Sequence, residues 1–353
     1  MTVMARMTLQ SVADRVGVSR MTVSNAFSRP DQLSAALRER ILAAAEELGY
    51  SGPDPAARAL ARGRTGSVGL LLTDRLSVVI SDALAGEFIA AVSDQLADHG
   101  MAVTLLAPTE TDGVVEGDVA MDGLLVYICG SPHQQLEWAR RRGLPMVTVD
   151  QRPIDGLPSV NVDDRNGARL GAQHLVDLGH RRIGVLTLPL ESEEDRNAGL
   201  VPAYDRMNGW RDVLEPLGIE PLVERGVYLA SEPSYAAARA LLDRPDRPTG
   251  VLCVSDAFAL EVLRAAADLG LRVPEDVSVV GYDDSRVAVL TRPPLTTIRQ
   301  DVRTKARLAV DALVRLVNDP DGAPPERELL PAELVVRAST APPGVDRPDA
   351  SAG

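Results

Sequence analysis

Three apolar runs of the chain each end on a side chain that can form hydrogen bonds. Asp150 ends PMVTVD, Ser255 ends VLCVS, and Asp283 ends VVGYD. Ligands of open α/β sheets bind at the carboxyl ends of the strands, so these side chains are candidates for one binding cleft. Carboxylates accept hydrogen bonds from vicinal hydroxyls, which favours a sugar or polyol as ligand. The alternative is that Asp283 and Asp284 cap the next helix.

Residue patterns typical of catalysis or of cofactor binding are missing from the sequence. The run SVGLLL is followed by TDRLS, which contains neither a dinucleotide-binding loop nor a P-loop. The four histidines lack metal-ligand spacing, and no serine lies in a nucleophile elbow. We therefore predict that the chain has no catalytic residue, no metal and no cofactor, and that it is not an enzyme.

The N-terminal residues predict two short helices joined by a tight turn. Thr8 and Ser19 are suited to cap the two helices at their N-termini. Gly17 lies between the helices, where the chain needs a positive φ, and Ala13 is small enough for close helix packing. This spacing is typical of a helix-turn-helix. A third amphipathic helix begins after Ser34, and an ordinary three-helix bundle is the alternative interpretation.

Charge is distributed unevenly along the 353 residues. Nine arginines and six acidic residues precede Thr65, a net charge of +3, so the rest of the chain carries −16 and the whole chain −13. A basic head attracts phosphates, whereas an acidic body repels DNA elsewhere. No apolar run approaches the roughly 20 residues that a bilayer requires, and residues 1–10 lack an apolar signal segment. We therefore expect a cytoplasmic protein with no membrane partner.

From residue 67 onward, apolar runs alternate with amphipathic helices. The runs SVGLLL, MAVTLL, GLLVYI, PMVTV, RIGVLTL, GVLCV and DVSVVGY predict strands that are buried on both faces. The intervening helices end in glycine, as in LADHG, LVDLG and AADLG. Repeated strand–helix pairs predict parallel βαβ units, and hence a doubly wound α/β body.

Longer segments of the chain resemble a known family. The segments VADRVGVSRMTVSNAF, LSAALRERILAAAEELGY, AARALARG, RNGARLGAQHLVDLGHRRIGVL and PPLTTIRQD are similar to the LacI/GalR (lac repressor-like) family of bacterial transcriptional regulators. The resemblance implies a small all-α helix-turn-helix head and an α/β two-lobed, periplasmic-binding-protein-like body with parallel sheets. It further implies a helix-turn-helix domain (1–52), a hinge helix or linker (53–64) and a two-subdomain effector-binding and dimerisation domain (65–341). The composition of the last residues, PPGVDRPDASAG, predicts a disordered tail (342–353).

In this family the second helix lies in the major groove of DNA, and the resemblance assigns that role to the helix following Ser19. Arg20 is expected to bind guanine through two hydrogen bonds, Asn25 to bind adenine, and Met21 to contact a thymine methyl group. The hydroxyl-bearing residues expected at phosphates are Ser19, Thr22 and Ser24. A phosphate or solvent contact is the alternative for Arg20.

The stretch PDPAARALARGR resembles the hinge helix that enters the minor groove in this family. It spans about two helical turns, too few to be stable alone. The resemblance makes Leu60 the wedge at the central base step, places Ala57 at the contact between paired hinge helices, and places Arg58 beside phosphates. Asp54 stands where the family usually has Asn. A plain interdomain linker is the alternative.

The resemblance places a small-molecule effector between two lobes, with chain crossovers near Asp163, Gln300 and Glu328. The cleft positions that it implies are Tyr127, Asp150, Arg206, Leu229, Ser255, Asp283 and Gln300.

Three of these cleft positions differ from the family's sugar binders. Ser255 replaces a frequent Asn, and Leu229 lies where an aromatic ring often stacks on the ligand. Tyr127 replaces a smaller polar residue and is expected to provide a stacking surface. Arg206 with the carboxylates suits bidentate hydrogen bonds to vicinal hydroxyls, and an interlobe salt bridge is its alternative role.

The expected function is repression by a homodimer that binds a pseudo-palindromic, double-stranded DNA operator. Repression is favoured because a dimer on an operator blocks polymerase by occupancy. The effector is expected to change operator affinity through the angle between the lobes; a sugar or polyol is favoured, and a nucleobase or nucleoside is the alternative. A solute-binding protein for transport would share the body but has no use for the head. An enzyme would need a nucleophile or an acid–base pair in the cleft.

Overall fold

The computed structural model describes residues 7–52, 54, 59, 63–72, 76–107, 119–127, 133–190, 201–227, 230–320, 322 and 327–344. The chain divides into two compact units, residues 1–66 and residues 67–353. Within the described ranges, no helix has the length and apolar character needed to cross a membrane.

The N-terminal unit is a set of helices around one small core. In chain order the helices are α1 (Leu9–Val16), α2 (Arg20–Ser28) and α3 (Ala35–Glu47), with a 3-10 turn at Pro30–Gln32. Their shared core contains Val12, Ala13, Val23, Ala26, Ile41, Ala44 and Ala45. All three helices contribute, so their packing rather than their individual propensity stabilises the unit.

The caps predicted for the three helices are confirmed. The side chains of Thr8, Ser19 and Ser34 each accept a hydrogen bond from the backbone N–H three residues later. Gly17 has a φ of 75°, in the left-handed region that glycine adopts at low cost. This turn ends α1 and sets the direction in which α2 starts, so the first residues of α2 are positioned by local chemistry.

The C-terminal unit contains twelve strands among its described residues. In chain order they are β1 (Ser67–Leu72), β2 (Ala102–Leu106), β3 (Gly123–Tyr127), β4 (Met146–Val149), β5 (Ser159–Val162), β6 (Ile183–Thr187), β7 (Leu222–Arg225), β8 (Gly250–Cys253), β9 (Ser278–Asp283), β10 (Thr296–Gln300), β11 (Arg327–Leu330) and β12 (Ala332–Val335). The seven strands predicted from apolar runs are all present. The other five were not predicted.

Over the same described residues, the strands form two six-stranded sheets. The first has the order β11-β5-β4-β3-β1-β2, and the second has the order β12-β10-β9-β8-β6-β7. All neighbouring strands are parallel except β10 and β12, which are antiparallel. We call the first sheet with its helices lobe 1, and the second lobe 2. The predicted doubly wound, two-lobed α/β architecture is confirmed.

Helices cover the faces of both sheets, as parallel βαβ connections require. In chain order they are α4 (Leu76–Ser81), α5 (Ala83–Asp98), α6 (His133–Arg141), α7 (Asp164–Asp177), α8 (Val201–Leu214), α9 (Ser231–Leu242), α10 (Asp256–Asp268), α11 (Arg286–Leu290) and α12 (Val302–Asn318). The lobe 1 core includes Phe88 and Leu125, and the lobe 2 core includes Trp210 and Tyr282.

The chain passes between the lobes at three places within the described residues. It leaves lobe 1 at Asp163, between β5 and α7, and returns at Asp301, between β10 and α12. The third passage is at Pro331, between β11 and β12, three residues beyond Glu328. The cleft between the lobes is therefore bounded by strand ends that these passages hold together.

Close packing of α7 against α8 places two charged side chains near the cleft. Gly209 on α8 lies so near α7 that an added Cβ would clash with the Arg165 carbonyl and lie 2.8 Å from the Ala168 Cβ. Because glycine is present, α8 approaches α7 closely enough for Arg206 to reach Asp164. This close packing fixes the positions of Arg206 and Asp164 at the cleft.

Candidate DNA-binding helix and ligand cleft

The first residues of α2 present side chains that are free to contact another molecule. Arg20 and Met21 are exposed, and Met21 keeps 69% of its accessible surface. Met21 is not part of the core of this unit, whereas Val23 and Ala26 on the opposite face of α2 are buried in it. The helix thus separates a packed face from a face suited to base edges.

The polar residues predicted along α2 are partly held by hydrogen bonds within the unit. The Ser19 and Thr22 hydroxyls lie 2.9 Å apart, and the Ser24 carbonyl accepts a hydrogen bond from Ser28 Oγ. Asn25 Nδ2 donates to Gln32 Oε1 at 3.1 Å, a partner that sequence reasoning missed. The Asn25 amide is therefore oriented before any DNA contact.

The predicted hinge residues Ala57, Arg58 and Leu60 lie outside the described residues, so their roles stay predictions. Ala59 is helical, and the Arg64 N–H donates to its carbonyl at 3.2 Å.

A buried lysine connects the two lobes at the cleft. Lys305 on α12 is fully buried, and its Nζ donates to Asp150 Oδ2 at 2.5 Å and to Gln300 Oε1 at 3.0 Å. Gln300 Nε2 in turn donates to Asp283 Oδ1 at 2.7 Å. The chain of contacts runs from the end of β4 in lobe 1 to the end of β9 in lobe 2. Three predicted cleft residues are thereby joined through a residue that was not predicted.

Arg206 extends this network within lobe 2. Its Nε donates to Asp164 Oδ1 at 2.8 Å, its Nη1 donates to the Val254 carbonyl at 2.5 Å, and Nη1 lies 3.4 Å from Asp283 Oδ1. The guanidinium also stacks on Tyr282, 3.6 Å from the ring centroid. All four partners belong to lobe 2, so the alternative of an interlobe salt bridge for Arg206 is wrong. The arginine is fixed in place by its own lobe.

Backbone strain is concentrated at the same place. Asp150, Asp283 and Asp284 have φ values of 54°, 115° and 53°, and no other non-glycine residue in the described ranges has a positive φ. Such conformations cost free energy and persist where the surroundings impose them, commonly at binding sites. Asp284 pairs with Arg299 at 2.7 Å and also with Arg337. The helix-capping alternative for Asp283 and Asp284 is therefore wrong.

Burial changes the protonation preference of the cleft carboxyls. Burial raises the pKa of Asp150, although the Lys305 ammonium and its hydrogen bond oppose that shift. Burial also raises the pKa of Asp283 well above its usual range, against the charge of Arg206. Because charged carboxylates are costly to bury, their paired cations are needed to keep them available as hydrogen-bond acceptors.

The remaining predicted cleft residues have different outcomes. Ser255 accepts a hydrogen bond from the Phe258 N–H at 3.4 Å as the N-cap of α10. The half-buried Tyr127 ends β3, and its ring centroid lies 4.3 Å from that of Phe88. Leu229 lies outside the described residues. The structure therefore joins Asp150, Arg206, Asp283 and Gln300 in one network, with Ser255 beside it.

A cavity of about 800 Å³ opens between the lobes. Lobe 1 contributes Asp150 and Asn161 to its lining, and lobe 2 contributes Thr187, Tyr204 and Asn208. Of all described residues, two have a buried side-chain oxygen without a hydrogen-bond partner, Asp150 Oδ1 and Thr187 Oγ1, and both residues line this cavity. Buried polar atoms are normally satisfied, so these two indicate a binding site for a polar ligand.

Family models match both units of the chain. The model for bacterial regulatory proteins of the lacI family matches residues 8–52, and the model for the periplasmic binding protein-like domain matches residues 172–340. An HTH-type transcriptional regulator of Mycobacterium tuberculosis is 36% identical over 359 residues, which cover 96% of this chain and 98% of its own length. The lactose operon repressor of Escherichia coli is 33% identical over 352 residues, covering 96% and 92%.

The chain belongs to the lacI family.

Solved structures of the lacI family share this architecture. The lac repressor dimer bound to operator and the anti-inducer ONPF has a TM-score of 0.79 at 30% identity, covering 95% of this chain and all but 1% of that chain. The complex of the transcriptional regulator CelR with cellobiose has a TM-score of 0.69 at 30% identity, covering 95% of this chain and 100% of that chain. As a family member, this protein is a DNA-binding transcriptional regulator and not an enzyme.

Proposed function

We propose that this lacI-family regulator is a repressor that binds a pseudo-palindromic operator as a homodimer, under the control of a small ligand in the cleft between the lobes. A sugar or polyol is favoured as ligand over a nucleobase. Its DNA-bound role implies a cytoplasmic location. The proposed parts are the helix-turn-helix domain (1–52), the hinge (53–64), the ligand-binding and dimerisation domain (65–341) and the tail (342–353).

The observation that carries the ligand proposal is the polar network at the cleft. Asp150 lines the cavity at a strand end, where ligands of parallel sheets bind, and Lys305 connects it to the buried pair of Gln300 and Asp283 behind the lining. Asp150 lines the cavity, and its buried Oδ1 has no partner in the protein, so a ligand hydroxyl that reaches this atom would satisfy it. The cellobiose bound by the relative CelR supports a carbohydrate.

Homodimer formation is supported by apolar surface on two neighbouring helices of lobe 2. Leu260 on α10 and Val289 and Leu290 on α11 are exposed, with Leu290 keeping 72% of its accessible surface. Large apolar side chains grouped on a protein surface mark interaction sites. A two-fold dimer through this surface would present two α2 helices to two half-sites of one operator.

The proposal is tested by operator selection with the full-length protein and two variants. Arg20→Ala should relax sequence preference at one position of each half-site and cost about 1–3 kcal/mol, because a base contact is lost. Thr22→Ala is the matched control and should weaken all DNA sites about equally, since it removes a phosphate contact. A selected motif that is unchanged in Arg20→Ala would contradict the placement of α2 in the major groove.

The hinge is tested separately through Leu60. Leu60→Ala should retain the fold and ligand affinity but lose much of the preference for operator over random DNA, because no side chain would wedge the central step. DNA bending, measured by fluorescence resonance energy transfer across the operator, should fall in parallel. Bending equal to that of the parent protein would leave residues 53–64 as a plain linker.

A further inference from the structure

We propose that the cleft ligand is a polyhydroxylated anion, a sugar or polyol that carries a phosphate or a carboxylate. The inference rests on the proposed function, because it names the ligand class of the same cleft. The residues that support it line the cavity, whereas Asp283 and Gln300 do not.

Two residues of the cavity lining, Asp150 and Thr187, each have a buried side-chain oxygen without a hydrogen-bond partner. Thr187 is 1% exposed and ends β6, and Asp150 follows β4 in the other lobe. A carboxylate can only accept hydrogen bonds, whereas a threonine hydroxyl can donate. One ligand that satisfies both must therefore offer a donor to Asp150 Oδ1, and it can offer an acceptor to Thr187 Oγ1 at the other side of the cavity.

Two arginines of lobe 2, Arg211 and Arg225, line the same cavity as Thr187. Arg225 is the register partner of Thr187 on β7, so the two side chains stand side by side on one face of the sheet. Arg211 lies on the same face of α8 as Tyr204 and Asn208, and all three line the cavity. Guanidinium groups bind phosphate and carboxylate through paired hydrogen bonds.

Charged side chains of both signs surround the cavity. Its lining contains three arginines, Arg152, Arg211 and Arg225, and three aspartates, Asp150, Asp164 and Asp205. Asp150 and Asp164 are already paired with Lys305 and Arg206, which lie behind the lining. With these two cations and Asp283, which pairs with Arg206, included, five cations stand against four carboxylates, a net charge of +1 on a C-terminal unit whose sequence is strongly acidic. A local positive region on an acidic body favours an anionic ligand at this place.

The lining offers hydrogen-bond acceptors at Asp150 and donors at Thr187, Arg211 and Arg225, and two further carboxylates, Asp164 and Asp205, lie on its lobe 2 side. Near Asp150, the site accepts hydrogen bonds and suits ligand hydroxyls. Near Thr187, Arg211 and Arg225, the site donates hydrogen bonds and suits an oxyanion. The cavity volume of about 800 Å³ lies within the range of small-molecule sites, so it has room for one monosaccharide-sized ligand that carries both groups.

The experiment measures binding of inorganic phosphate and of D-gluconate to the full-length protein by calorimetry and thermal shift at constant ionic strength. At least one anion should bind saturably, and D-glucose 6-phosphate should bind more tightly than D-glucose if the oxyanion is a phosphate. Thr187→Val and Arg211→Gln should each weaken anion binding about tenfold. Phosphate binding alone identifies a phosphorylated ligand, and gluconate binding alone identifies a carboxylated one.

Two controls separate ligand binding from folding. Arg169→Gln removes an exposed arginine of α7 that does not line the cavity, and it should leave anion binding unchanged. Thr187→Val should not lower the melting temperature of the ligand-free protein, because it removes a buried hydroxyl that has no partner. If neither anion binds saturably, or if binding is unaffected in both cavity variants, the inference is wrong. Operator selection on the same preparations then shows whether the proposed function survives.

Discussion

Lys305 and Asp150 form a buried ion pair at the cleft. Both are buried, and an ion pair taken out of water loses hydration that its mutual attraction only partly offsets. Asp150 also has a strained φ of 54° and leaves Oδ1 without a partner. Apolar residues of similar size would be expected to give a more stable protein, so the pair is better explained by ligand binding than by stability.

A double-mutant cycle tests this cost. Lys305→Met should destabilise the fold by about 3–5 kcal/mol, because it leaves a buried carboxylate without its cation. Adding Asp150→Asn, which tolerates the positive φ, should restore a large part of the loss. Urea denaturation of the parent, both single variants and the double variant provides the cycle. A double variant no more stable than Lys305→Met would mean that the lysine acts through packing instead.

The buried carboxyl of Asp256 should make the stability of the fold depend on pH. Burial raises its pKa to about 6, although Thr297 Oγ1 and the Ser285 N–H and Oγ donate hydrogen bonds to the carboxylate. The native state therefore binds this proton more tightly than the unfolded state. The stability due to this proton is complete below about pH 4 and is lost as pH rises through about 6.

Asp256→Asn should remove that pH dependence. As pH rises from about 3 to about 8, the free energy of unfolding of the parent should fall relative to the variant by about 3 kcal/mol, the equivalent of a shift of about two pKa units. Chemical denaturation at several pH values measures the difference in the free energy of unfolding. Because the other buried carboxyls are the same in both proteins, their contributions to this difference largely cancel. Parallel pH profiles for the two proteins would refute the raised pKa of Asp256.

At the scale of secondary-structure elements, the contact between α7 and α8 fixes the positions of Arg206 and Asp164 at the cleft. Arg206 projects from α8, and its partner Asp164 is the first residue of α7. The two helices approach so closely at Gly209 that a side chain there would meet the Arg165 backbone. Helix spacing and the geometry of this ion pair are therefore coupled.

Two glycine substitutions separate helix propensity from helix packing. Gly209→Ala should destabilise the protein and weaken ligand binding, because α8 must move away from α7 and carry Arg206 with it. Gly86→Ala on α5 is the matched control: its added Cβ meets nothing within 4 Å, so it should stabilise the fold by up to about 1 kcal/mol. Thermal unfolding of both variants is the measurement. Similar stabilisation by both would show that α7 and α8 are not in close contact.

At the scale of the whole molecule, the proposed dimer depends on surface that the single chain leaves uncovered. The exposed apolar residues of α10 and α11 lie in lobe 2. A dimer through this surface would link the lobes of two subunits, so a ligand-induced change in lobe angle could alter the spacing of two DNA-binding units.

Leu290→Glu should weaken the dimer at least about tenfold, because a charge would be buried in an apolar interface. Leu217→Glu, at another exposed apolar position of lobe 2, is the control and should leave association unchanged. Sedimentation velocity over a range of concentrations measures both. A Leu290→Glu protein that stays dimeric would place the interface elsewhere.

Local patterns in the sequence determined the helix caps and seven of the strands, six of them at interior positions of the sheets. Thr8, Ser19 and Gly17 act within a few residues of themselves, so their roles are visible in sequence. The seven predicted strands lie mostly inside the sheets, where burial on both faces requires continuous apolar runs. Strands β7, β11 and β12 are edge strands with partly exposed residues, and β5 and β10 contain polar residues, so none shows such a run.

The location of the cleft was predictable from the sequence, but the network of side-chain contacts within it was not. Strand-end positions indicated Asp150 and Asp283, and family resemblance added Arg206 and Gln300. The position of Lys305 in the sequence gave a weak indication that it is buried and paired. It lies three residues after Val302, on the apolar face of α12, where a charge needs a partner. The identity of that partner, 155 residues away, is decided only when β4 and α12 pack together. Pairing and desolvation are properties of that packing, whereas caps and apolar runs are properties of the local chain.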